Sequence, residues 1–126
     1  MPPGVQCVTM KFMEIFIIQD TITKDALADI AKEQFGDFVK AVVDLKQEIM
    51  AIGGELHADA EARLLAHGSQ QENVWGVNLY PSQSEGEWIV YDSMINVRPS
   101  QGNRSRGIED PNIRAEIKKV IQKLVH

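Results

Sequence analysis

The chain has 126 residues, 44% hydrophobic and 25% charged, a composition that predicts one soluble globular domain with its own core. Its net charge of -5 argues against broad attraction to nucleic acid. A single cysteine, Cys7, excludes an internal disulfide and a cysteine-based zinc site, and predicts a cytoplasmic protein.

Residues 1–9, "MPPGVQCVT", have the composition of a flexible N-terminal arm, and residues 10–126 of a single domain. The apolar run in "KFMEIFIIQD" is interrupted by Glu14 and falls far below the roughly 20 residues that span a bilayer, so it predicts a short strand rather than a membrane segment. Thr23 then supplies an N-cap, with Ile22 and Leu27 at the spacing of a hydrophobic staple. Leu27, Ile30, Ala31 and Phe35 mark one helical face, and Gly36 ends it.

In "DFVKAVVDLKQEIMAIGG", Val39, Ala41, Val43 and Leu45 alternate with Lys40 and Asp44, the pattern of a strand, and "EIMAI" reads as its hairpin partner. Lys46 and Gln47 do not favour positive φ, which predicts a longer or bulged turn. "HADAEARLLAHGS" is rich in alanine, carries Asp59 and Glu61 near its start and Gly68 at its end, and predicts a short helix. A second hairpin follows from "VWGVNLYP" and "EWIVYDSMINVRP", whose β-branched and aromatic residues predict two full strands joined by "SQSEGE". The methionines and tryptophans are expected in the core, with Trp75 and Trp88 also candidates for an interface.

The last helix starts with Asp110 as N-cap and Pro111 in the first position, and buries a stripe of Ile113, Ile117, Val120, Ile121 and Leu124. The order β-α-β-β-α-β-β-α, two hairpins and three helices, predicts an α+β fold with a mainly antiparallel sheet.

Three groups of residues could carry chemistry. "NVRPSQGNRSRGIEDP" holds Arg98, Arg104 and Arg106, whose planar guanidinium forks match phosphate or carboxylate oxygens. Asn96 and Asn103 add donors, Gly102 and Gly107 allow close backbone approach, and the run lacks the lysine and spacing of a phosphate loop. "GGELHADAE" holds Glu55 and His57, candidates for proton transfer, and His57 with Asp59 and Glu61 could approach a divalent metal. Ordinary structural roles compete with each reading: the arginines can pair with Asp92 or Glu109, and His57 can serve only as a helix-entry residue. A third group, the polar row Asn78, Tyr80, Asp92, Asn96 and Arg98, would share one sheet face if the last two strands pair along their length.

The stretches "GGELHAD", "GSQQENVWG" and "DSMINVRPSQGNRSR" are similar to those of a family of short bacterial and archaeal proteins catalogued as a domain of unknown function. The resemblance covers roughly residues 15 to 125 and implies a compact cytoplasmic prokaryotic protein; it carries over no catalytic residue and no cofactor. Two functions therefore compete. One is a small-anion site, with catalysis left open, in which the Arg/Gly loop converges on His57. The other is a homo-oligomeric interaction or regulatory module that uses sheet edges, a tryptophan and the last helix. Nucleic acid is the least favoured partner, because basic and aromatic residues do not interleave.

Overall fold

The computed structural model describes residues 13–126, and the expected arm of residues 1–9 lies outside the described residues. Five strands, β1 (Ile15–Ile18), β2 (Val39–Asp44), β3 (Ile49–Gly53), β4 (Val74–Leu79) and β5 (Ile89–Val90), form one sheet. Its order is β1-β3-β2-β4-β5, and every pairing is antiparallel. With α1 (Lys24–Glu33), α2 (His57–Ala66) and α3 (Pro111–Leu124), the fold is α+β.

Period-two alternation sorts the strands between two cores. Val39, Ala41 and Val43 of β2 share one face with Met50 and Ile52 of β3 and with Val77 and Leu79 of β4; α1 and α3 pack there through Leu27, Ala31, Ile117, Ile121 and Leu124. On the other face Val42, Ile49, Ala51 and Val74 meet Ala60 and Leu64 of α2. The sheet is thus covered on both sides. Trp75 and Trp88 are buried on the α1/α3 side, which removes them as interface residues and leaves them in the core.

Local signals place the helices as expected. Thr23 accepts from the Ala26 N–H at 3.0 Å, and Asp110 accepts from the Asn112 N–H at 2.8 Å. The β2–β3 turn is a longer one, with Glu48 at φ 58°. Asp44 points away from the first core, as alternation predicts, yet is buried: its carboxylate accepts from the N–H groups of Lys46 and Gln47 and from the Ser69 hydroxyl at 2.6 Å.

The second hairpin departs from the expected pair of full strands. β5 has two residues, paired with Asn78 and Leu79, and the chain then leaves the ladder through 3-10 turns at Met94–Asn96 and Pro99–Gln101. A side chain takes the place of the missing strand. The Gly76 N–H donates to Asn96 Oδ1 at 2.8 Å, and Asn96 Nδ2 donates to the Gly76 carbonyl at 2.9 Å and to the Arg106 carbonyl at 3.1 Å. One fully buried amide therefore closes the edge of β4 and binds the far arm of the loop. Gly76 makes the approach possible, because a Cβ there would lie 2.7 Å from Ser93 Cβ and Oγ. The expected polar row along a long β5 is accordingly broken: Asn78 Nδ2 reaches only the Asp92 carbonyl, at 3.4 Å.

Asn103 organises the rest of the loop. Its two Nδ2 hydrogens are shared among the carbonyls of Asn96, Ser105 and Gly107, at 2.7, 3.0 and 2.8 Å, and its Oδ1 accepts from the Glu109 N–H at 2.8 Å. Ile108 supplies the loop's buried apolar anchor. Asn96→Ala would leave the Gly76 N–H and carbonyl unpaired, at about 1–3 kcal/mol for each buried group, while the Arg106 carbonyl keeps the Ser93 N–H at 3.0 Å. Urea unfolding should show a loss of about 2 kcal/mol or more with an unchanged slope; a loss of a few tenths would contradict the role given to this amide.

Candidate functional site

α2 begins in an unusual way for this chain. Gly53 and Gly54 carry the backbone out of β3 at φ 102° and 95°, and a Cβ on Gly53 would stand 2.1 Å from the Glu14 carbonyl oxygen. The N-cap position falls on Leu56, which has no side-chain acceptor. Thr23 and Asp110 cap the other two helices, whereas the first turn of α2 keeps its N–H groups free of a side-chain cap.

His57 occupies the first turn and is buried against the sheet, with Nε2 2.8 Å from the Val77 carbonyl oxygen in β4. A carbonyl can only accept, so Nε2 carries the proton and donates. Burial pushes the ring pKa down to about 4, and the charges of Lys40 and Arg106 push the same way; the Val77 bond and Asp92 oppose them. His57 is therefore neutral near neutral pH. Glu55 is exposed and does not hydrogen-bond to it, so the two do not form a proton-relay pair in this arrangement.

The loop reaches α2 at two adjoining clefts. The first, of about 300 Å³, is lined by Lys40 from β2, Leu56, His57 and Ala58 from the start of α2, Ser93, Met94 and Ile95, and Arg106. His57 and Arg106 thus share one cavity. Arg106 donates from Nε to Asp92 Oδ1 at 2.8 Å, but both side chains are about half exposed, so solvent screens the pair and its net worth is under about 1 kcal/mol. The remaining guanidinium N–H groups are free of protein partners among the described residues.

The second cleft, of about 380 Å³, lies between α2 and the Pro99–Gln101 turn and shares Met94 and Ile95 with the first. Arg98 and Glu61 line it. Arg98 is 9% exposed; its Nε donates to the Ile95 carbonyl at 2.9 Å, its Nη2 lies 3.5 Å from Glu61 Oε2, and its Cζ sits 4.7 Å above the Trp75 ring. Its Nη1 is buried without a hydrogen-bond partner.

The other candidate residues have different positions. Asn96 and Asn103 commit their amides to the loop's own backbone, which makes them positioning residues in this arrangement. Arg104 is exposed; its backbone N–H and that of Ser105 donate to Glu109, and these bonds hold the Glu109 carboxyl below its ordinary range. Among the described residues no group of three or more His, Cys, Asp and Glu stands together as a metal site, so His57, Asp59 and Glu61 do not converge on one. Lys40 was not singled out in the sequence. Its alternation with Val39 and Ala41 put it on the polar side of β2, but no local signal put the Arg loop beside it.

The buried imidazole makes stability depend on pH. Its folded pKa, about 4, lies below the unfolded value of 6.5, so the unfolded chain binds the proton more tightly. The stability is complete above pH 6.5 and falls as pH drops towards 4. Between pH 7 and pH 5 the loss should be about 2 kcal/mol. His57→Gln, which keeps a donor for Val77 and does not titrate, should flatten that interval in urea titrations; an equal slope in both proteins would place the acid sensitivity elsewhere.

The family model described as a protein of unknown function (DUF5674) matches residues 16–124. No curated protein and no solved structure matches the chain. The matched span begins within β1 and ends with α3, taking in both clefts and the loop between them. By that match the chain belongs to the DUF5674 family.

Proposed function

We propose that this protein is an anion-binding domain that takes a phosphate or carboxylate group in the cleft at the start of α2. One observation carries the reading: Lys40 and Arg106, from distant parts of the chain, line the same cleft as the uncapped first turn of α2. Lys40, with its ammonium 5.2 Å from the Phe35 ring centre, Arg106, shared with Asp92, and the positive end of a helix that carries Asp59 in its first turn form a local attractor for negative charge, on a protein whose net charge is -5. His57 adds a neutral ring rather than a third charge. Arg104 and Arg98 belong to the same loop, and Asn96 and Asn103 hold that loop in place. A small-molecule ligand and a cytoplasmic setting complete the proposal, the latter in keeping with the single cysteine. Catalysis by His57 and Glu55 would require the two side chains to approach one another when ligand binds.

Calorimetric titration with inorganic phosphate tests the reading. Lys40→Ala and Arg106→Ala should each weaken binding about tenfold or more, the equivalent of losing about 1.4 kcal/mol. Arg104→Ala should have a smaller effect. Phosphate binding that survives both cleft variants unchanged would reject the site.

A second reading, a homo-oligomeric module, is favoured by the exposed apolar residues that rim the two clefts: Leu56 is 58% exposed and Met94 64%. In that case light scattering should show a dimer that Met94→Glu converts to a monomer. A monomer at all concentrations would remove this alternative.

A further inference from the structure

Resting on the anion-binding reading for its charged end, we propose that the second cleft is a subsite for a neutral planar group carrying a hydrogen-bond donor beside an acceptor, and that the two clefts together take a nucleoside monophosphate.

Arg98 and Glu61 form an incomplete buried pair. A guanidinium has five N–H groups in a fixed plane. Nε of Arg98 reaches the Ile95 carbonyl, one Nη2 contact to Glu61 is long at 3.5 Å, and Nη1 has no partner. The Trp75 ring lies against the guanidinium carbon and offers no in-plane acceptor. Leaving charged N–H groups unpaired in a buried setting is costly, and water or a ligand acceptor offsets that cost. Glu61 is equally under-used: it is 9% exposed, and its contact with Arg98 is its one side-chain hydrogen bond among the described residues.

Charge then selects the ligand class. Arg98 and Glu61 together are net neutral, so this cleft does not recruit a second anion. An acceptor facing Arg98 and a donor facing Glu61 add the bonds that their long 3.5 Å contact leaves unmade, with Nη1 reached only when the ligand displaces the atoms that cover it, and an adjacent acceptor and donor are what the edge of a nucleobase presents. Gln71, Ser100 and Gln101 add polar groups to the same wall.

Spacing links the two clefts. His57 and Glu61 stand four residues apart on α2, a rise of about 6 Å at 1.5 Å per residue. Met94 and Ile95 line both recesses and form an apolar floor between them. A sugar bridging phosphate to base has a matching reach, with its carbon face on Met94 and Ile95 and its phosphate at Lys40, Arg106 and the α2 N-terminus.

The test is a titration of ¹⁵N-labelled protein with inorganic phosphate, the four ribonucleosides and the four nucleoside 5′-monophosphates. At least one monophosphate should bind tenfold or more tighter than phosphate and shift the Arg98 Nε–H and Trp75 indole resonances. Glu61→Gln, nearly isosteric, and Arg98→Lys, which keeps the charge but loses the fork, should each abolish that advantage and leave phosphate affinity unchanged. Monophosphates that bind no tighter than phosphate, or an advantage that persists in Glu61→Gln, would overturn the subsite while leaving the anion site standing. Nucleosides that bind through Glu61 when phosphate does not bind would do the reverse, and no binding of any probe would remove both.

Discussion

The pairing of Asn96 with Gly76 is the contact on which the functional half of the molecule depends. A sheet strand needs hydrogen-bond partners along its edge, and β5 supplies them to β4 only at Asn78 and Leu79. At Gly76 a single side-chain amide supplies both. Because that amide also holds the Arg106 carbonyl, the loop is tied to the sheet at the position from which its arginines face α2. Asn103 fastens the loop's two arms to one another. The stretch has little apolar anchorage because hydrogen bonds through two buried amides, with Ile108 beneath, do the work of a small core.

The two arginines nearest α2 then meet different environments. Arg106 is exposed, loosely paired and beside a lysine and an uncapped helix start. Arg98 is buried, stacked on Trp75 and partnered by a carboxylate at long range. The same residue type thus offers a screened positive charge at one end of the groove and a rigid, partly satisfied hydrogen-bonding fork at the other. His57 stands at the joint. Its neutral ring fills space and fixes the start of α2 against β4, and the burial that depresses its pKa also makes it an acid-sensitive point of the fold.

Much of this fold was legible in the sequence. Thr23, Asp110 and Pro111 announced two helix starts, alternation through Val39, Ala41 and Val43 announced β2, and the fold class followed. The second hairpin misled, since Val90, Tyr91, Ile95 and Val97 have strand-forming side chains while the ladder stops after Val90. What ends it is the close packing of Ser93 on Gly76 and the bonding of Asn96, both long-range contacts that propensity does not register. The site was half legible. Composition marked the Arg loop and the His57 segment, but Lys40 looked like an ordinary solvent-facing strand residue and Glu61 like a helix-dipole partner. Their roles arise only when β2, α2 and the loop are brought together.

Native-state hydrogen exchange at the Gly76 amide decides whether Asn96 closes the sheet, because it reads an edge N–H of β4 that a side chain, not a strand, is held to protect. Protection there should be as strong as that of the core amides of β2, released only on global unfolding. Exchange as fast as in the exposed Ser100–Gln101 turn would show that Asn96 does not close the edge, and the positioning of the arginines would lose its physical basis.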